Sequence, residues 1–158
     1  MTPAIELVRH HCIAHIIHEY QHDPASSAYG REAIEKLAVD QERVFKTLIV
    51  DLGKRRLAVA IIPALAMLSL KLTAKSFGSK KAVMADATDV LRSTGFVLGG
   101  VSPLGQRRLL PTLLDQSAIQ FDTIYVSAGR RGLEIEMSPN DLVSLSRGKF
   151  AEIAETHH

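Results

Sequence analysis

The chain has 158 residues, of which 46% are hydrophobic and 23% are charged, and it carries a formal net charge of +2. This length suits one domain whose core needs no disulfide or metal, and the balanced composition argues against disorder. The N-terminus lacks the pattern of a secretory signal, no apolar run is long enough to cross a bilayer, and the one cysteine fits a reducing compartment. We therefore expect a single domain over residues 1–158, monomeric and cytoplasmic, without membrane contact.

Cap residues and hydrophobic periodicity predict two helices and three strands in the first half of the chain. Thr2 is a helix cap with Pro3 in the first turn, and Gly53 gives the last two strands the spacing of a hairpin. The remaining predicted elements are a strand from Cys12 to Tyr20, a helix over Gly30–Ala38, and strands over Val44–Val50 and Leu57–Ile62.

The second half of the chain predicts three further helices between short strands. Ser69, Asp86 and Ser138 are the cap residues, and Gly78 and Gly95 end the first two of these helices. The predicted strands are Val83–Ala85, Leu109–Leu114, Thr123–Ser127 and Leu133–Met137. Because strands outnumber helices without a strict βαβ order, we expect an α+β fold with a mixed, barrel-like β-sheet and flanking helices.

The segment from Arg92 to Gly105, RSTGFVLGGVSPLG, is the strongest candidate for a binding loop. It contains four glycines, one proline and a single ionisable side chain, and it has no helical or strand periodicity. Adjacent Gly99 and Gly100 lack Cβ atoms, so a ligand can approach their peptide N–H groups. The spacing matches neither a P-loop nor a Rossmann fingerprint, which argues against phosphate binding of those kinds.

Lys46 is a charged residue within the otherwise apolar segment VFKTLIV. Strand alternation places it on the same face as Val44 and Leu48, with Thr47 on the opposite face. The sequence leaves two interpretations open. The lysine either extends into solvent from a sheet edge, or its ammonium is semi-buried and needs an anionic partner.

Metal and nucleophile chemistry have little support in the sequence. His15 and His18 are three residues apart on a predicted strand, so they point to opposite faces, and we expect no metal site. The serines have no evident base, and Cys12 at an apolar strand start is interpreted as a small buried hydrophobe. We therefore expect neither a protein nucleophile nor a cofactor.

Basic doublets recur at predicted turns: Arg55-Arg56, Lys80-Lys81, Arg107-Arg108 and Arg130-Arg131. Such pairs are commonly solvated surface, but those beside glycine loops can also steer a phosphate backbone. An aromatic content of 5% argues against a platform that stacks many bases.

Six segments, in this order over residues 2–154, resemble the YbaK family of free-standing Cys-tRNA(Pro) deacylases. They are TPA, EYQHDP, VFKTLIV, AVAIIP, RSTGFVLGGVSPLG and IYVSAGRRGLEIE. The family is related to the editing insertion domain of bacterial prolyl-tRNA synthetase. The resemblance implies a mixed, barrel-like sheet with helices outside, and hydrolysis of the ester that joins cysteine to proline tRNA. Cysteine is close to proline in size, so a synthetase pocket discriminates poorly between them.

The resemblance also implies site residues. Lys46 corresponds to the pocket lysine that holds the aminoacyl-adenosine, and Gly99 and Gly100 to a glycine pair whose N–H groups face the aminoacyl carbonyl. The other positions implied to bind substrate are Tyr20, Tyr29, Thr47, Ser127, Gly129, Gly132 and Glu134. Tyr29 stands where phenylalanine is common, and Glu134 stands where aspartate is usual, which lengthens that carboxylate by one methylene.

The resemblance also implies a mechanism in which the substrate cysteine attacks its own ester through its thiol, giving a cyclic thiolactone, so that no protein nucleophile is required. The implied partners are the acceptor end of tRNA(Pro) and, in a transient complex, prolyl-tRNA synthetase. Two alternatives stay open at this point. One is a sister editing deacylase for alanine or another small residue, and the other is a non-catalytic tRNA-binding module of the same fold.

Overall fold

The computed structural model describes residues 1–26 and 29–155, and of Tyr29 the backbone alone. This part of the chain contains five α-helices, eight β-strands and two 3-10 helices, the latter at Gln41–Arg43 and Gln116–Gln120. In chain order the α-helices and strands are α1 (Pro3–His10), β1 (His15–Glu19), α2 (Tyr29–Leu37), β2 (Phe45–Asp51), β3 (Leu57–Pro63), α3 (Leu70–Ser76), β4 (Val83–Met84), α4 (Ala87–Thr94), β5 (Thr112–Asp115), β6 (Ile124–Arg130), β7 (Leu133–Met137), α5 (Pro139–Ser146) and β8 (Lys149–Ala151). None of these helices has the length and apolar character of a bilayer-spanning segment.

The strands form two sheets that meet where β2 approaches β6. The smaller sheet has the order β1-β7-β6 and is antiparallel throughout. The larger has the order β4-β2-β3-β5-β8, with parallel pairing of β5 to both β3 and β8. A bridge from Val44 to Tyr125 links the two sheets. The α+β class and the mixed strand directions are confirmed, with the strands divided between two sheets.

The main core fills the space between the two sheets and α1. Phe45 and Ile61 from the larger sheet pack with Ile135 and Met137 from the smaller one, and Val8 closes the core from the helix. Each of these side chains is fully buried. Burial of this apolar surface is the main favourable contribution to folding.

Side-chain caps position four of the helices as the sequence predicts. Thr2, Ser69, Asp86 and Ser138 each accept a hydrogen bond from the backbone N–H three residues further along the chain. Gly95 ends α4 with a φ of +83°, a conformation that favours glycine. The caps therefore confirm where α1, α3, α4 and α5 begin.

The strand predicted from Cys12 to Tyr20 begins at His15 instead, and Cys12 is exposed. Because α1 ends at His10, Cys12 lies in the turn that follows, with a φ of +55° and its N–H donating to the Arg9 carbonyl. The prediction of a small buried hydrophobe was therefore wrong. The turn that ends α1 includes Cys12, where the predicted strand was expected to begin.

Two features at the C-terminal end were not predicted. β5 begins at Thr112, three residues after the expected start at Leu109, and β8 is absent from the sequence prediction. β8 is short and exists through its parallel pairing with β5, in which Phe150 lies opposite Leu114. A strand of this kind has no alternation long enough to detect.

Asp115 hydrogen-bonds the C-terminal segment to the end of β5. One carboxylate oxygen accepts hydrogen bonds from the N–H groups of Ile153 and Ala154, each at 3.0 Å. The other oxygen accepts from the N–H and hydroxyl of Ser117, at 3.2 and 2.6 Å. Because Asp115 is buried, all four donors would lose their partner if the carboxylate were removed.

We expect Asp115→Ala to lower the free energy of unfolding by about 3 kcal/mol, because buried N–H groups are left without an acceptor. Urea unfolding followed by circular dichroism measures this change. The control is Asp122→Ala, at an exposed position, which should change stability by less than about 0.5 kcal/mol. Equal effects of the two substitutions would contradict the stabilising role of the Asp115 hydrogen bonds.

Candidate functional site

A cavity of about 380 Å³ opens beside β2, on the edge opposite β3. In the described part of the chain this edge is paired at the Val44 bridge and at the end of β2, where the last two residues meet β4 and the Ile49 carbonyl accepts from Ala85. The lining residues are Gly30, Arg31, residues 46–49, residues 64–67, Met84, Ala85, Leu98, Gly99 and Val101. The volume lies in the range of small-molecule sites.

Lys46 contributes an ammonium to a cavity wall that is mostly apolar. The side chain is half-buried, and this burial lowers the pKa of the ammonium below its ordinary value. Among the described residues no carboxylate lies within 4.0 Å of it. Of the two interpretations that the sequence left open, the structure therefore shows the semi-buried lysine.

Lys46 and Thr47 both line the cavity, although they lie on opposite faces of β2. Strand pairing places Thr47 on the main-core face and Lys46, opposite Ile62, on the other face. The Ala85 N–H donates to the Ile49 carbonyl at 3.0 Å, so the peptide groups of alternate residues, including Thr47, point to this edge. The cavity follows the edge of the strand and is accessible from both faces.

The predicted glycine loop forms a β-turn whose tip borders the cavity. The Gly100 N–H donates to the Val97 carbonyl at 3.0 Å, with Leu98 and Gly99 between them. Gly99 has a φ of +84°, and a Cβ there would lie 2.9 Å from a guanidinium nitrogen of Arg131. The N–H of Gly100 is used within the turn. The expectation that both glycines present N–H groups to a ligand is therefore corrected, and of the pair Gly99 alone lines the cavity.

Gly30 at the start of α2 forms another part of the wall. A Cβ on this residue would lie 2.4 Å from the Cβ of Ala64, so the helix begins in direct contact with the segment that follows β3. Glu32 holds the helix in place, because its carboxylate hydrogen-bonds His22 at 2.6 Å and accepts from the Asp23 N–H at 2.9 Å. Sequence reasoning missed Gly30, since a glycine at a helix start gives no sign of which segment it will contact.

The apolar rim of the cavity was also missed. Leu65, Met67, Met84 and Leu98 line the cavity and are each at least 44% exposed. In the sequence these residues cannot be distinguished from core residues, because hydrophobicity alone does not report on burial. Their common exposure around one opening indicates a surface suited to an apolar or planar group.

Three predicted substrate-binding residues lie outside the cavity. Ser127 and Glu134 are cross-strand partners in the smaller sheet, and Glu134 is buried. Burial, together with the Glu134 carboxylate, raises the pKa of Tyr20 to about 12. Tyr20 packs against a cluster that contains Ala64, a cavity-wall residue. Tyr20 therefore lies behind the Ala64 part of the cavity wall, whereas Ser127 and Glu134 belong to the smaller sheet.

Gly129 lies at the irregularity near the end of β6, and Gly132 lies in the turn before β7. Their φ values are +113° and +86°. A Cβ on Gly129 would lie 2.7 Å from the Phe96 ring, and one on Gly132 would lie 2.6 Å from the Tyr20 carbonyl oxygen. Close packing of an aromatic ring against Gly129 and of a carbonyl group against Gly132 thus explains both glycines, and neither lines the cavity. The side chain of Tyr29 lies outside the described residues.

The two strand histidines have local partners. His18 hydrogen-bonds a Glu136 carboxylate oxygen at 2.9 Å, and His15 hydrogen-bonds the Ile13 carbonyl at 2.7 Å. In the part of the chain that the structure describes, no three histidine, cysteine, aspartate or glutamate side chains are grouped as metal ligands.

A family comparison assigns the chain to a class of proteins. Residues 22–145 match the family model of the aminoacyl-tRNA editing domain. The chain therefore belongs to the aminoacyl-tRNA editing domain family. This result confirms the family predicted from the sequence and, with it, the class of enzyme, an aminoacyl-tRNA deacylase.

Individual relatives agree with the family assignment. The chain is 38% identical over 153 residues to the Enterococcus faecalis protein named "Putative Cys-tRNA(Pro)/Cys-tRNA(Cys) deacylase EbsC", covering 96% of this chain and 92% of that one. It is 31% identical over 124 residues to the uncharacterized Bacillus subtilis protein YwhH, covering 78% of each. The fold also matches a solved structure described as "a putative trans-editing enzyme for prolyl tRNA synthetase", with a TM-score of 0.81, 21% identity and 99% coverage of both chains.

We expect Gly30→Ala to destabilise the protein and to reduce its deacylase activity, because the new methyl group would overlap Ala64 and displace the cavity wall. Helix propensity alone predicts the opposite, a gain of up to about 1 kcal/mol. Thermal unfolding and a deacylation assay measure the two effects. Adding Ala64→Gly should restore part of both losses, and a more stable, fully active Gly30→Ala variant would contradict this packing.

Proposed function

We propose that this protein is a trans-editing deacylase that hydrolyses the ester between cysteine and mischarged proline tRNA. The observation that carries the proposal is the half-buried ammonium of Lys46, which shares an apolar cavity with the Gly99 turn. Family membership and the printed name of the Enterococcus relative support the same activity. We expect the protein to act in the cytoplasm, where tRNA is charged.

The composition of the cavity favours a reaction in which the substrate supplies the nucleophile. Among its described lining residues there is no serine, cysteine, histidine or carboxylate. In the proposed reaction the cysteine thiol sulfur bonds to the ester carbonyl carbon, and the bond from that carbon to the ribose 3′ oxygen breaks. The thiol proton ends on that oxygen, and water later opens the thiolactone to give free cysteine. The protein need only hold the reacting atoms together and stabilise the oxyanion.

Three cavity residues have proposed roles in this reaction. The Lys46 ammonium attracts the negative charge that develops on the ester carbonyl oxygen, and the low polarity around it strengthens this attraction. The Gly99 peptide approaches the same group without a side chain in the way. Thr47 presents its peptide group along the strand edge. Tyr20 packs against the cluster that contains Ala64, and the Glu134 carboxylate acts on Tyr20 through its charge, so the effect of both residues on the substrate is indirect.

The proposed partners are the acceptor end of tRNA(Pro) and prolyl-tRNA synthetase. A net charge of +2 offers modest overall attraction for RNA. Selection of the correct tRNA is therefore expected to depend on a transient complex with the synthetase. A comparison of deacylation rates on different tRNAs, with and without synthetase, tests this dependence.

Proline tRNA charged in parallel with cysteine, serine and alanine separates the possible substrates. We expect Cys-tRNA(Pro) to be hydrolysed at least about 100-fold faster than the serine and alanine esters, because both lack the thiol nucleophile. Release of labelled amino acid measures the three rates. Fastest release of alanine would instead indicate a sister deacylase for small residues, and no release from any ester would indicate a non-catalytic tRNA-binding module.

We expect Lys46→Met to lower deacylation about 100-fold or more while leaving the free energy of unfolding unchanged or higher. The reason for the second expectation is that the lysine keeps a charge in a half-buried position, and methionine removes this desolvation cost. Single-turnover deacylation and urea unfolding measure the two quantities. Cys12→Ser is the control and should keep full activity, because Cys12 is exposed in the turn after α1. Retained activity in Lys46→Met would refute the role of the lysine.

A further inference from the structure

Two of the four basic doublets come together in a groove at the far end of β2. The groove has a volume of about 650 Å³ and lies between the β2–β3 hairpin turn and the connection from α3 to β4. Lys54 and Arg56 line it from the hairpin, and Lys80 and Lys81 line it from the connection. Arg55 occupies the turn between the two hairpin cations. We call this feature the basic groove.

The hairpin turn carries its cations in an unfavourable backbone conformation. The Arg56 N–H donates to the Gly53 carbonyl at 3.1 Å, which makes Lys54 and Arg55 the central residues of the turn. Both have positive φ, 54° and 58°. Turns with positive φ at both central positions strongly prefer Asn-Gly, because lysine and arginine are strained there. Local strain of this kind is concentrated at functional sites.

The charges of the basic groove are largely uncompensated. Lys54, Lys80 and Lys81 are exposed, and in the described part of the chain none of them has a carboxylate within 4.0 Å. Arg56 donates to the carbonyls of Gly53 and Leu52, at 3.3 and 3.1 Å. One carboxylate, that of Asp51, adjoins the turn and accepts from the Gly53 N–H at 2.8 Å. The groove therefore has a strong local excess of positive charge.

The basic groove is connected to the cavity by β4. Lys80 and Lys81 precede this strand, and its last residue, Met84, lines the cavity. Two residues separate Lys81 from Met84, and three steps of extended chain span about 10 Å. Phosphates repeat every few ångströms along a nucleic acid strand, so a few nucleotides span this distance. One RNA strand can therefore reach both features.

We propose that the basic groove binds backbone phosphates of the tRNA acceptor arm and thereby positions the aminoacylated 3′ end in the cavity. This inference rests on the function proposed above, and it adds a second contact region to the site. Contacts of lysine and arginine with phosphates supply affinity and position without reading the sequence. A local cluster also reconciles RNA binding with the small net charge of the whole chain.

The test uses two groove variants and one control, each measured for binding of uncharged tRNA(Pro) over a range of salt concentrations. K80Q/K81Q should weaken binding about tenfold near 0.1 M salt and reduce the slope of log affinity against log salt by about 1.5. R107Q/R108Q removes a basic doublet outside the groove and should change the slope by less than half as much.

K54N/R55G is the second groove variant, and it separates binding from folding. Asn-Gly suits the turn, so we expect this variant to raise Tm by about 2–4 °C while it weakens tRNA binding. A gain in stability together with a loss of tRNA affinity excludes misfolding as the cause of the weaker binding. Unchanged binding in both groove variants, or equal loss in R107Q/R108Q, would overturn the proposal.

A second measurement distinguishes failure of this inference from failure of the proposed function. With 3′-cysteinyl adenosine, which lacks the acceptor arm, K80Q/K81Q should match the wild-type rate, while with Cys-tRNA(Pro) its KM should rise about tenfold. If the wild type hydrolyses neither substrate, the deacylase function fails, but the tRNA-binding measurements still decide the groove. If K80Q/K81Q binds tRNA normally and loses only the response to synthetase, the groove is a protein-docking surface and the RNA proposal is wrong.

Discussion

The incomplete pairing of β2 is the constraint on which the site depends. β3 pairs with this strand over its full length, whereas β4 meets only its last two residues. The peptide groups at the uncovered edge cannot be sealed into a dry core without partners. The α2 start, the segment after β3 and the Leu98-Gly99 turn instead surround this edge and leave a cavity. The same strand carries Lys46 into the cavity and leads, at its other end, to the basic groove.

Two arrangements of positively charged residues reduce the stability of the folded protein and favour the binding of an anionic ligand. Lys46 is half-buried, and no carboxylate of the described residues lies within 4.0 Å of it. Lys54 and Arg55 have left-handed backbone conformations at the hairpin tip. Neither arrangement benefits the folded state on its own. Natural proteins tolerate such local conflicts mainly at functional sites, where binding or catalysis compensates for the lost stability.

The sequence predicted the elements whose signals are local. Thr2 and Ser138 were identified as caps because a cap hydrogen bond reaches only three residues, and β2 and β3 were identified by continuous apolar runs beside a glycine turn. Features that depend on distant partners were not predicted. β8 exists through pairing with β5, and the start of the strand at Cys12 was wrong because the end of a helix extended into the apolar run.

For the candidate site, the sequence by itself indicated Lys46 and the glycine loop as candidates, and the resemblance of its motifs indicated the family and the role expected of the lysine. Only the tertiary structure decided that Gly99 lines the cavity while the Gly100 N–H closes a turn, and that Tyr20 packs against the cluster that contains Ala64. It also decided which basic doublets meet. The physical reason is range: caps, turns and alternation act over a few residues, whereas cavities and charge clusters join segments that only packing brings together.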